Sequence, residues 1–127
     1  MSGNILAVDD SKTLRASVKF TLKKAGYDVY LADNGKTGIE KLKELTADGD
    51  RPELIITDIN MPEMDGITFL KNVKEDKIFR YIPVIILTTE SQEEMIMKGK
   101  KLGAAGWLVK PFKPEQLKSV AKKFVRG

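Results

Sequence analysis

Five short apolar runs alternate with five longer amphipathic segments, and that rhythm restricts the fold more than any other feature of the chain. The runs Ile5–Val8, Asp28–Leu31, Leu54–Thr57, Val84–Thr88 and Gly106–Val109 have strand length and are rich in branched side chains. Leu54-Ile55-Ile56 offers no polar face, which suits a strand buried on both sides in a parallel sheet. The segments Lys12–Ala25, Lys36–Leu45, Ile67–Lys74, Gln92–Leu102 and Pro114–Phe124 read as helices. Leu14, Val18, Leu22 and Ala25 form one core-facing stripe, and Leu117, Val120, Ala121 and Phe124 form another. Ser11 and Ser91 suit helix N-caps, and Gly26 and Gly103 suit helix C-termini. Asp48-Gly49-Asp50-Arg51-Pro52 carries turn chemistry.

Five strand-then-helix units imply an α/β fold with a parallel sheet covered by helices on both faces. Right-handed crossovers leave few topologies. The expected architecture is a doubly wound, flavodoxin-like (βα)5 domain, and the strand order 2-1-3-4-5 is taken over from folds of that kind. Residues 1–127 fit one domain, with roughly two thirds of the unfolded surface buried at this size.

Polar residues gather where the strands end. Asp9-Asp10 follows the first strand, Asp58 the third, Thr88-Thr89-Glu90 closes the fourth and Lys110 follows the fifth. In a parallel sheet these carboxyl ends share one edge, the edge at which open α/β sheets bind ligands. Each piece has a structural reading of its own. Asp9-Asp10-Ser11 could cap the first helix, Asp58 could cap a strand exit, Thr88 and Lys110 could be ordinary strand-end residues, and Lys110-Pro111 could be a helix-entry turn with a cis peptide open to it. Four such coincidences on four strands favour a site.

The chain contains no cysteine and no histidine, which removes thiol chemistry, disulfides, the commonest general base and the commonest transition-metal ligand. A metal here must be held by oxygen, which points to Mg²⁺, Mn²⁺ or Ca²⁺. Two like charges about 4 Å apart repel by roughly 4 kcal/mol at an effective dielectric of about 20, a cost that a divalent cation removes. Lys110 suits a phosphoryl oxygen as a point donor, and Thr88 can offer a hydroxyl. A carboxylate can attack phosphorus to give an acyl phosphate, and in-line transfer needs mainly positioning and charge neutralisation.

The net charge of +4, from 22 Lys+Arg against 18 Asp+Glu, is spread over several helices and reads as a solvated basic surface. No nucleic-acid-binding motif accompanies it. No apolar run reaches the roughly 18 residues of a membrane span, and no signal-peptide pattern opens the chain, so a cytoplasmic location is expected.

Taken together, Ala7-Val8-Asp9-Asp10-Ser11, the stretch Thr57-Asp58-Ile59-Asn60-Met61-Pro62-Glu63-Met64-Asp65-Gly66, Thr88 and Lys110-Pro111-Phe112 resemble the receiver domain of two-component response regulators over essentially the whole length. The resemblance implies that Asp58 accepts a phosphoryl group from a sensor histidine kinase. It implies that Asp10, Asp58 and the Asn60 backbone carbonyl bind Mg²⁺, or Mn²⁺ in its place, with Asp9 helping through water. Lys110 would bind the phosphoryl group, and Thr88 would move to hydrogen-bond it, coupled to Trp107 on strand five. The family commonly has Tyr or Phe where Trp107 stands, and a small residue where Thr89 stands. Gly66 fits a tight turn beside the site.

Asn60 and Glu90 match the pair that flanks the site in stand-alone chemotaxis regulators. The signalling face would then be helix four, strand five and helix five, with Lys98, Lys100, Lys101, Trp107 and Lys118. Met61, Met64, Met95 and Met97 read as core or rim packing. The chain is expected to act as a monomeric phosphoacceptor, not an enzyme, with self-catalysed dephosphorylation. Its expected partners are a kinase, a flagellar motor switch protein or a histidine phosphotransfer protein, and a phosphatase, with neither nucleic acid nor membrane among them. The rival readings are a single-domain phosphorelay intermediate and, remotely, a metal-dependent phosphatase. The latter often uses a second carboxylate two residues after the nucleophile, where this chain has Asn60. A flavin-binding module would need a phosphate loop where Asp9-Asp10 stands.

Overall fold

A computed structural model describes residues 3–89 and 92–125. The element order is β1 (Asn4–Val8), α1 (Lys12–Lys24), β2 (Asp28–Ala32), α2 (Gly35–Ala47), β3 (Leu54–Asp58), α3 (Gly66–Glu75), β4 (Val84–Thr88), α4 (Glu93–Leu102), β5 (Gly106–Val109) and α5 (Pro114–Phe124). All four strand pairings are parallel, and the order β2-β1-β3-β4-β5 is the expected one.

The sheet's period of two divides the core into two layers. Ile5, Ala7, Leu54, Ile56, Ile85 and Leu87 face α1 and α5, where Val18, Leu22, Leu117 and Ala121 complete one cluster. Leu6, Val8, Ile55, Val84 and Ile86 face the other way, against Leu42 of α2 and Phe69, Leu70 and Val73 of α3. Each Val, Leu, Ile or Phe among them contributes about 1.5–3 kcal/mol by leaving water. Strands β3 and β4 are buried at every residue, which is why neither shows polar alternation.

Helix ends follow side-chain chemistry. Ser11 caps α1 by accepting from the Leu14 N–H, as expected. Helix α2 starts one residue before its expected start and ends two after its expected end. Asn34 and Thr37 form a reciprocal capping box that draws the first turn back to Gly35. Helix α1 stops at Lys24, with Ala25 as its C-cap. Gly103 ends α4 in the left-handed region, at φ 102°, as a C-terminal glycine should. The N-cap of α4 is Gln92, and the expected cap Ser91 lies outside the described residues. Met61, Met64 and Met95 pack against the second core layer, but Met97 is 61% exposed and packs into neither.

Candidate functional site

The register brings the expected residues together. Val8 pairs with Thr57, so Asp9 and Asp58 leave adjacent strands side by side. Asp58 pairs with Leu87 and Thr88 with Val109, which puts Thr88 and Lys110 on the same edge. The Lys110 N–H donates to the Thr88 carbonyl at 2.6 Å, fixing the start of the lysine side chain at the end of β4. From there Lys110 Nζ reaches Asp58 Oδ1 at 3.1 Å and Asp9 Oδ2 at 3.3 Å. The Lys110–Pro111 peptide is cis.

Asp9, Asp10 and Asp58 each present a carboxylate oxygen within 4.8 Å of the others. Asp9 and Asp58 are buried and Asp10 is exposed. Burial pushes the Asp9 carboxyl above its ordinary value; the Ser11 N–H, donating to Oδ1 at 2.8 Å, opposes this, the neighbouring Asp58 charge adds to it, and Lys110 opposes it again. Among the described residues one ammonium therefore stands against three carboxylates, and an all-oxygen set with surplus negative charge fits a hard divalent cation.

Asp58 Oδ1 accepts the Ile59 N–H at 2.8 Å as well as Lys110, which leaves Oδ2 outside both contacts. Behind it, Gly66 opens α3 with its N–H on the Ile59 carbonyl at 2.8 Å. A Cβ on Gly66 would collide with the Asp58 carbonyl oxygen, so only glycine lets α3 start this close to the end of β3.

Thr88 lies on the same edge but its hydroxyl is turned to α4. It donates to Gln92 Oε1 at 2.8 Å, with the Thr89 carbonyl at 3.2 Å. Trp107 is 41% exposed on β5, with Lys100 Nζ 4.1 Å from its ring centre. A groove of about 540 Å³ runs between α4 and β5, lined by Glu93, Ile96, Met97, Trp107 and Val109. Asn60 is exposed just beyond Asp58, and Glu90 lies outside the described residues.

Two contacts were not expected from the sequence. Arg15 donates to the Asp9 carbonyl at 2.6 Å, bracing the first strand end from α1. Gln92 gathers the Thr88 hydroxyl and the Thr89 N–H on one oxygen. The four-residue spacing from Thr88 to Gln92 was the available signal. It is weak, because a glutamine opening a helix ordinarily faces solvent.

Residues 5–122 match the response regulator receiver domain family. The chain is a response regulator receiver domain. Chemotaxis protein CheY1 of Helicobacter pylori is 40% identical over 114 residues, covering 90% of each chain. Chemotaxis protein CheY-3 of Vibrio cholerae is 39% identical over 115 residues, covering 90% of this chain and 85% of its own. Among solved structures, the chemotaxis response regulator CheY4 of Vibrio cholerae superposes with a TM-score of 0.85 at 40% identity, covering 98% of this chain and 99% of that one. This receiver domain is thus CheY-like, a signalling module of the two-component type. Among the described residues no helix is long and apolar enough to cross a membrane.

Proposed function

We propose that this receiver domain is a phosphorylation-activated switch, with Asp58 as the acceptor and chemotaxis as the pathway. The observation that carries the reading is the Lys110 ammonium held between Asp58 and Asp9 within a group of three carboxylates.

Asp9, Asp10 and Asp58, with the Asn60 carbonyl, would hold Mg²⁺ or Mn²⁺. A cation bound there supplies neutralisation of the phosphoryl oxygens. Asp58 supplies the nucleophilic oxygen. A new P–O bond forms at the carboxylate while the bond from phosphorus to the donor breaks, and the donor leaves with the electron pair. In the cell the donor is a phosphohistidine of a sensor kinase; acetyl phosphate can replace it in vitro, with acetate leaving. Lys110 keeps one donor on Asp58 and turns to a phosphoryl oxygen as the negative charge grows. Water later cleaves the acyl phosphate and regenerates Asp58, so phosphorylation is a signal of limited lifetime.

Readout passes through Thr88 and Trp107 to the face made by α4, β5 and α5. Exposed apolar area at Met97 and Trp107, with Lys100 over the Trp107 ring and exposed Lys98, Lys101 and Lys118 on α4 and α5, suits a partner segment that is both apolar and acidic. The relatives' names support chemotaxis as the pathway, and a flagellar motor switch protein in the cytoplasm is the partner we propose.

The test is intact mass after incubation with acetyl phosphate and Mg²⁺. One phosphoryl adduct on wild type and none on Asp58→Asn is the expected result. No adduct on wild type overturns the acceptor role. Sustained turnover of phosphomonoesters would make the protein a phosphatase instead.

A further inference from the structure

We propose that Gln92 is a positioning residue that latches Thr88 in the resting state and so sets how readily the switch fires. The inference deepens the reading of Asp58 as acceptor and rests on it.

Thr88 has one hydroxyl proton. It is buried at the end of β4, and the nearest acceptor is Gln92 Oε1 at 2.8 Å, against 3.2 Å for the Thr89 carbonyl. Oε1 also accepts the Thr89 N–H at 3.0 Å. The Gln92 N–H donates in turn to the Thr89 carbonyl at 3.1 Å. One side-chain oxygen thus ties the end of β4 to the start of α4. A Thr88 hydroxyl committed to Gln92 is not available to a phosphoryl oxygen on Asp58. Firing the switch requires that bond to break.

Gln92 is the N-cap of α4, yet it makes no side-chain bond to the helix backbone. Its oxygen points back to β4 instead. Helix α4 is more lightly anchored than α2 and α3, because Gly99 is its one fully buried residue, with Met95 and Leu102 partly buried against the core, whereas α2 and α3 each bury four. A helix held so lightly takes much of its placement from its first-turn contacts. The groove beside Trp107 is lined by Glu93, Ile96 and Met97 of that same helix. Releasing Gln92 therefore frees the Thr88 hydroxyl and loosens the start of the helix that shapes the output face, so one residue links both events.

A net neutral hydrogen bond is worth a factor of about two to ten in an equilibrium. The experiment measures the rate of phosphoryl uptake from acetyl phosphate with Mg²⁺ by intact mass, and Trp107 emission without donor. Gln92→Ala is expected to take up phosphoryl about two- to tenfold faster than wild type. Its emission before any donor is added should lie part of the way to that of phosphorylated wild type. Thr88→Ala removes the latched group, so adding Gln92→Ala to it should leave the uptake rate unchanged. Gln92→Glu keeps an acceptor, a stronger one, and should remain at or below the wild-type rate.

Uptake by Gln92→Ala that is equal to or slower than wild type overturns the latch. So does a Gln92→Ala effect that persists undiminished beside Thr88→Ala, which would mark an unspecific effect on α4. Failure of every protein, wild type included, to form an adduct would instead overturn the acceptor reading beneath the latch.

Discussion

The half of the sheet that holds the carboxylates and the half that carries the proposed output face are built differently. Strands β1 and β3 bury every residue except Asn4, and Asp58 and Asp9 leave them fixed by the Ile59 and Ser11 N–H groups and by Arg15. On the other side, β5 has one buried residue, Leu108, and α4 has one, Gly99. Trp107 and Met97 stand exposed between them. Chemistry of the in-line type needs rigid placement, whereas a signal needs an element whose two arrangements differ little in energy. The molecule supplies each on its own side, and Lys110 and Thr88 stand at the seam.

The contrast can be broken by stability measurements. Leu54→Ala in β3 should cost about 2–5 kcal/mol in denaturant unfolding, because a fully buried side chain leaves a cavity that the packed sheet cannot close. Met97→Ala in α4 should stay within about 0.5 kcal/mol. Equal costs would remove the basis for calling one side rigid and the other loose.

Lys110→Ala tests the seam. It removes the cation that, among the described residues, touches both buried carboxylates, and uptake from acetyl phosphate should fall about 100-fold. A variant that still phosphorylates at the wild-type rate would show that Lys110 only balances charge at rest.

Smaller effects sharpen the output side. Lys100→Ala deletes the ammonium over the Trp107 ring, an exposed contact worth about 0.5–1 kcal/mol. The expected result is a shift in Trp107 emission with phosphoryl uptake unchanged.

Lys74 gives the smallest signal, seen as a pH dependence. Its ammonium donates to the Arg80 and Ile82 carbonyls, at 3.0 and 2.8 Å, and burial lowers its pKa from 10.5. In the window below 10.5 the unfolded chain binds more protons at this site than the native one. Wild type should therefore gain stability relative to Lys74→Met as pH rises through that window. A constant difference between the two would contradict the assignment.

The sequence made the rigid side legible and the loose side less so. Unbroken apolar runs such as Leu54-Ile55-Ile56, short and rich in branched residues, suit buried strands, and a buried strand in a parallel sheet fixes which edge carries the residue after it. Asp9, Asp58 and Lys110 could be brought together on that argument, whereas Gly66 was placed in a tight turn only through the family resemblance. The start of α2 at Gly35 escaped because the capping box of Asn34 and Thr37 competes with the helix stripe as a boundary signal. Gln92 escaped because its bond to Thr88 depends on a side-chain torsion that no periodicity records. Met97 was misread as packing because a long apolar side chain on a helix looks the same whether the helix is held by four buried residues or by one.

The central claim is that phosphorylation on the rigid side is read out on the loose side. Amide hydrogen exchange, resolved by peptide with Mg²⁺ present and compared before and after addition of acetyl phosphate, tests it most directly. Exchange in β1 and β3 should be slow and unchanged, exchange in α4 and β5 should change on phosphorylation, and Asp58→Asn should show no response. A response spread evenly over the sheet, or one that survives in Asp58→Asn, would contradict the account.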